Sequence, residues 1–148
     1  KYDSTVLYGL EAGKYRLALK TPKDQIINVE YTRDKSKKKA AYKKSKAINL
    51  KSDIDSIYTS TEKAARWYKV SVLSTKKRKA VTLSKDSVGG GFKFRVYQKG
   101  KRLKTVRVTK NDKVKTVKLP KKKGTYYVKV TKLTSKTTGA YYLGTYTY

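Results

Sequence analysis

A period of two constrains this chain more than any other feature. Tyr15, Leu17 and Leu19 alternate with Arg16, Ala18 and Lys20, and Ile27, Val29 and Tyr31 with Asn28, Glu30 and Thr32. The pattern returns at Tyr68, Val70 and Val72, at Val81 and Leu83, and at Phe92, Phe94 and Val96. It continues through Val106 and Val108, Val117 and Leu119, and Tyr126, Val128 and Val130, and closes on Tyr141 and Leu143. Each run sets branched or aromatic groups on one face and Lys, Arg or Thr on the other, the signature of a strand with one buried and one wet face. Parallel strands covered on both sides read instead as continuous apolar runs. Turn chemistry separates the runs: Ser87-Val88-Gly89-Gly90-Gly91, Gln98-Lys99-Gly100-Lys101 with Gly at a positive-φ position, and the stretch from Pro120 to Gly124. Repeated short antiparallel strands separated by turn signals imply an all-β sandwich or barrel.

Two stretches break the alternation. Residues 33–46 (RDKSKKKAAYKKSK) have no sustained apolar face and read as a linker, with a helical turn near Ala40, Ala41 and Tyr42. In residues 60–66 (STEKAAR), Ser60 or Thr61 is placed to cap a short helical turn with Glu62 in it.

The hairpin pattern occurs twice. Gly13-Lys14-Tyr15-Arg16-Leu17-Ala18-Leu19 aligns with Gly124-Thr125-Tyr126-Tyr127-Val128-Lys129-Val130, and Ile27-Asn28-Val29 then falls on Tyr141-Tyr142-Leu143. Residues 1–34 therefore read as the C-terminal hairpin of a preceding, partial repeat. Residues 35–46 read as a Lys-rich linker and residues 47–148 as one complete sandwich. An isolated hairpin is marginal in water. Residues 1–34 are expected either to pack on an edge of the sandwich or to pair with the same segment of a second copy in a homodimer.

Composition removes most catalytic chemistry. The chain has no His and no Cys, so it has no Ser-His-Asp triad, no thiol nucleophile, no imidazole or thiolate zinc site and no disulfide. No phosphate loop, paired catalytic carboxylates or nucleophile–base pair is visible, and no enzymatic activity or cofactor is expected. No apolar run is long enough to span a bilayer, and no secretory leader stands at the start, which suits a mature form, a fragment or an intracellular protein.

The charge is extreme: 39 Lys+Arg against 10 Asp+Glu leaves +29. Seven of the 39 are Arg, so 32 are Lys. Base reading and bidentate phosphate clamps favour the planar Arg fork, whereas Lys acts as a hydrated point charge. The balance points to diffuse attraction to polyanions, with nucleic acid bound non-specifically as the alternative and simple solubility as the plainer reading.

Several segments carry a family resemblance. Ala64-Ala65-Arg66-Trp67-Tyr68-Lys69-Val70-Ser71-Val72 resembles the D-W-Y-x-F-x-V strand of bacterial pre-peptidase C-terminal domains. Gly89-Gly90-Gly91-Phe92-Lys93-Phe94-Arg95-Val96-Tyr97 is similar to their G-D-F-D-L-x-L-Y strand. Gly124-Thr125-Tyr126-Tyr127-Val128-Lys129-Val130 resembles G-T-Y-Y-I-x-V, and Gly139-Ala140-Tyr141-Tyr142-Leu143 the closing G-x-Y-x-L. The resemblance covers about residues 47–148, with a weaker match over 5–32. It implies an all-β fold, an antiparallel jelly-roll-like β-sandwich preceded here by the N-terminal β-hairpin segment, secreted, non-catalytic and appended to bacterial extracellular peptidases, similar to the collagen-binding domains of clostridial collagenases. Those domains bind calcium through acidic residues near the domain start. Here only Asp53 and Asp55 stand near that position, two carboxylates in a field of +29, and they make a poor site for an ion that prefers six to eight oxygens. Arg66 also replaces the Asp that usually precedes the Trp.

These readings converge on a secreted or cell-surface module of a bacterial, Gram-positive protein. Its expected partners are anionic polymers of a cell envelope or host matrix, such as teichoic acids or sulfated glycans. An architectural role in a secreted peptidase is the remaining alternative. The basic candidates are Lys76, Lys77, Arg78 and Lys79 in one turn and Lys121, Lys122 and Lys123 in another, expected to meet at one end of the sandwich. The aromatic candidates for stacking are Trp67, Tyr127, Tyr142 and Tyr146, with packing between neighbouring strands as the duller explanation.

Overall fold

The computed structural model describes residues 41–50, 57–60, 65–85, 90–135, 137 and 140–148, together with residues 14, 16, 18 and 20. Most of the N-terminal hairpin and the repeat it belongs to, the Asp53/Asp55 pair, the basic run 37–39 and residues 61–64 of the second helical turn lie outside the described residues. Lys14, Arg16, Ala18 and Lys20 are exposed.

Nine strands form two packed sheets among the described residues. They are β1 (Ile48–Asn49), β2 (Ile57–Ser60), β3 (Arg66–Val72), β4 (Lys79–Lys85), β5 (Phe92–Gln98), β6 (Lys101–Val108), β7 (Val114–Lys118), β8 (Gly124–Lys132) and β9 (Ala140–Thr147). The five-stranded sheet has the order β1-β3-β8-β5-β6 and the four-stranded sheet β2-β9-β4-β7. The chain passes repeatedly from one sheet to the other, as a jelly roll requires. All pairings are antiparallel except the two-residue β1–β3 contact. That exception departs from the expected purely antiparallel sandwich. β2 lies in the opposite sheet, so the chain crosses over and returns to β3 in the same direction, which a parallel pair needs.

In the described strands the apolar phase read from the sequence is the buried one, except that Val106 in β6 is only half-buried. In β3 and β5 every second residue is buried, and Tyr68, Val70, Phe94, Val96, Tyr126 and Val128 sit in one core with Val81, Leu83 and Leu143. Two core tyrosines, Tyr68 from one sheet and Tyr141 from the other, join their hydroxyls at 2.7 Å. That pairing satisfies two polar groups that would be costly to bury alone.

Local chemistry explains the turns. Lys99 (φ 45) and Gly100 (φ 79) are both left-handed, the geometry of a two-residue type I′ hairpin whose twist matches its strands. Gly90 (φ 76) uses its conformational freedom, while Gly91 serves a close approach to the carbonyl of Val108. The Thr137 hydroxyl, fully buried, accepts from the Gly91 N–H at 3.3 Å and lies 3.0 Å from the Gly91 carbonyl, tying the β8–β9 loop to the start of β5. The helical turn expected near Ala40–Tyr42 instead appears as a 3-10 turn at Lys44–Lys46. Ala41 is buried with its carbonyl accepting the Trp67 N–H at 2.8 Å, and that bond holds the segment extended before the turn. Ser60 lies in β2 and Arg66 in β3, so both ends of the second expected turn are strand.

Candidate polyanion-binding pole

Registers decide which turns meet. β3 ends at Val72 opposite Gly124, and β5 ends at Gln98 opposite Tyr126. In the other sheet β4 begins at Lys79 opposite Thr147, and β7 ends at Lys118 opposite Ala80. The β3–β4 turn, the β5–β6 hairpin, the β7–β8 loop and the end of β9 therefore lie at one pole. Backbone bonds bind them there: Arg78 and Tyr148 exchange N–H···O bonds of 3.0 and 2.9 Å, and the Leu119 N–H donates to the Lys79 carbonyl at 2.8 Å.

The two predicted basic turns are thus brought together. Lys76, Lys77 and Arg78 are exposed, Lys79 is half-buried, and Lys121, Lys122 and Lys123 are exposed beside them. The hairpin adds Lys99 and Lys101, and β7 adds Lys118, which the sequence reading did not single out. Lys99 and Lys101 were visible in the hairpin motif, but only the register shows that this hairpin points the same way as the other turns.

The β7–β8 loop is held from beneath. Tyr126 is fully buried, and its hydroxyl donates to the Lys122 carbonyl at 2.9 Å. Burial pushes the Tyr126 pKa up, so the hydroxyl remains a protonated donor at any ordinary pH. The buried Gln98 amide adjoins it. A loop of three consecutive lysines is in this way anchored by its backbone while the ammonium groups stay in water.

Charge is unbalanced along the molecule. Among the described residues the one carboxylate side chain is Asp112, in the β6–β7 loop at the opposite pole. It is already engaged: Lys115 lies 2.7 Å away, and the Thr109 N–H and hydroxyl both donate to it at 2.8 Å. The hydrogen bond from Lys115 and those from Thr109 hold its pKa well below the usual carboxylate range. No described carboxylate side chain faces the lysines of the basic pole.

The four aromatic candidates divide between two faces. Trp67 and Tyr127 lie on the outer face of the five-stranded sheet, half-buried. Trp67 packs against Tyr97 with centroids 5.6 Å apart, and Lys129 lies 5.3 Å from its ring. Lys44, from the 3-10 turn, lies 4.6 Å over the Tyr127 ring. These rings are already covered by the chain's own cations. Tyr142 and Tyr146, each 40 % exposed, lie on the outer face of the four-stranded sheet, and Tyr146 packs on Tyr148 at 5.9 Å. Among the described residues there is no cluster of three metal-ligating side chains and no helix long and apolar enough to cross a membrane.

The two-sheet architecture with its sheet-to-sheet crossings defines the chain as a jelly-roll-like β-sandwich. In particular, it shares the fold of the pre-peptidase C-terminal domain of collagenase from Bacillus anthracis. That structure matches with a TM-score of 0.52 over 68 % of this chain and 94 % of the other, at 17 % identity. No protein-family model matches the sequence, and no curated protein matches it significantly.

Proposed function

We propose that this chain is a non-catalytic binding module of a secreted bacterial protein, and that it docks on anionic polymers through its basic pole. One observation carries the reading: basic turns more than forty residues apart in sequence converge at one end of the sandwich, with no described carboxylate side chain among them. Exposed ammonium groups with no local counter-charge bind polyanions by displacing mobile counterions, through many weak, exchangeable contacts. The fold shared with the domain of a collagenase supports an accessory role beside a peptidase, outside the cell. The lysine excess favours shape-tolerant attraction to teichoic acids or sulfated glycans over sequence reading of nucleic acid.

The test is elution from heparin, teichoic acid and DNA columns in a salt gradient. Retention above physiological salt on all three is expected. Replacing Lys121 and Lys123 by Gln should bring elution forward on every column. The equal charge change Lys110→Gln with Lys113→Gln, at the opposite pole, should do so much less. Equal shifts from the two pairs would mean that net charge and not the pole does the binding, and passage of the wild type without retention would end the proposal.

A further inference from the structure

The outer face of the four-stranded sheet is laid out in rows. Cross-strand partners give Tyr142–Ser84–Val114, then Gly144–Thr82–Thr116, then Tyr146–Ala80–Lys118. The middle row has no bulky side chain, so Tyr142 and Tyr146 stand as two posts about 14 Å apart along β9, four residues at about 3.4 Å each. Between them lie Gly144 and the hydroxyls of Thr82 and Thr116, whose Oγ1 atoms are 3.0 Å apart, with the Ser84 hydroxyl beside Tyr142. Ala80 shares the outward phase yet is fully buried. Its row therefore closes one end of this window, and that end leads directly to the basic pole. There Lys118 lies 5.1 Å from the Tyr148 ring, and Tyr148 is itself bonded to Arg78.

We infer that this window binds a linear acidic polysaccharide, with sugar rings on Tyr142 and Tyr146 and carboxylates or sulfates held at the basic pole. The inference rests on the polyanion-binding role of that pole and names the chemistry of its ligand. Tyrosine faces offer flat apolar surfaces to the C–H faces of sugar rings. Hydroxyls both donate and accept, and so match the hydroxyls of a sugar without demanding charge. The described side chains between the posts carry no cation; cations begin at the Lys118 row. A polymer with a charge on every backbone unit, such as polyphosphate, gains nothing along this window. A glycan with neutral ring surfaces and spaced acidic groups matches both the window and its charged end.

Affinity for a heparin hexasaccharide and for a polyphosphate of equal charge, measured by calorimetry at physiological salt, tests this. The double variant Tyr142→Ala with Tyr146→Ala should weaken hexasaccharide binding about tenfold, from two stacking contacts, and leave polyphosphate binding within about twofold. Thr82→Val, a change of one hydroxyl, should weaken the hexasaccharide alone by a few fold. Circular dichroism on each variant checks that the sandwich is intact. Loss of both ligands to the same degree in a folded double variant overturns the inference, as does no loss of the hexasaccharide. An oligothymidylate that displaces the hexasaccharide and depends equally on the two tyrosines would assign the window to nucleic acid instead. If the wild type binds neither polyanion, the basic-pole reading fails with it. If both bind through Lys121 and Lys123 with no tyrosine dependence, the window alone fails.

Discussion

Replacing Gly91 by Ala should destabilise the sandwich clearly more than the same change at Gly100. A Cβ there would stand 2.0 Å from the Val108 carbonyl oxygen and 3.0 Å from the Thr109 Cα, both backbone atoms. Carbon and oxygen ordinarily approach to about 3.3 Å, so β6 would have to retreat by about 1.3 Å at its end. Neither side yields easily. Gly91 accepts the Leu133 N–H at 2.8 Å, and Val108 is fully buried opposite Phe92. The retreat sacrifices a ladder hydrogen bond, about 0.5–1.5 kcal/mol, and most of the burial of a Val side chain, about 1.5–3 kcal/mol. The expected cost is about 2–4 kcal/mol, or roughly 10–25 °C in Tm for a domain of this size. Gly100→Ala is the control. Its φ is +79 but nothing lies within 4 Å, so it meets only the left-handed penalty of about 1–2 kcal/mol. Urea unfolding followed by Trp67 fluorescence reads both. A Gly91→Ala protein within about 1 kcal/mol of wild type, or less affected than Gly100→Ala, would refute the close-approach argument.

Three further outcomes are expected. Tyr126→Phe keeps the buried ring but removes the donor to the Lys122 carbonyl, and should cost about 1 kcal/mol in urea unfolding while raising the hydrogen-exchange rate of the β7–β8 loop. Asp112 has a lowered pKa in the fold, so the stability it contributes is present above its unfolded pKa near 3.8 and is lost as pH falls below that value; Asp112→Asn should flatten the acid limb of stability measured against pH. Changing Lys121, Lys122 and Lys123 together to Gln should reduce the slope of log affinity against log salt on duplex DNA by about 2–3, since each contacted phosphate contributes about 0.9.

Strand positions were legible because the pleat enforces a period of two, and a run such as Phe92-Lys93-Phe94-Arg95-Val96 has only one way to bury its apolar side. β1 and β2 were not. Ile48–Asn49 is too short to show any alternation, and its place at the edge comes from a parallel contact with β3. Ala80 was equally illegible: its phase reads as outward, and its burial comes from the row it occupies. The 3-10 turn at Lys44–Lys46 was misplaced by a few residues because the bond from Trp67 to Ala41 joins residues 26 apart. The same holds for Trp67. Its opposite phase to Tyr68 was visible, but its partners Tyr97 and Lys129 come from two other strands.

The sequence by itself determined the class of fold, the buried phase of most strands, the tight hairpin with Gly100 at its positive-φ position, and the exclusion of thiol and imidazole chemistry. Each depends on local sterics, hydrophobic periodicity or the absence of a side-chain type, all of which are properties of neighbouring residues. Only the tertiary structure decided where the charge gathers and which aromatic rings are more exposed. The turn at residues 76–79 and the loop at 121–123 meet because β3, β4, β7 and β8 cross between sheets in a particular order. Tyr127 is covered and Tyr146 more exposed because Lys44 folds back onto one sheet while the outer face of the other keeps small residues beside its tyrosines. Long-range register carries this information, and a chain read one window at a time does not contain it.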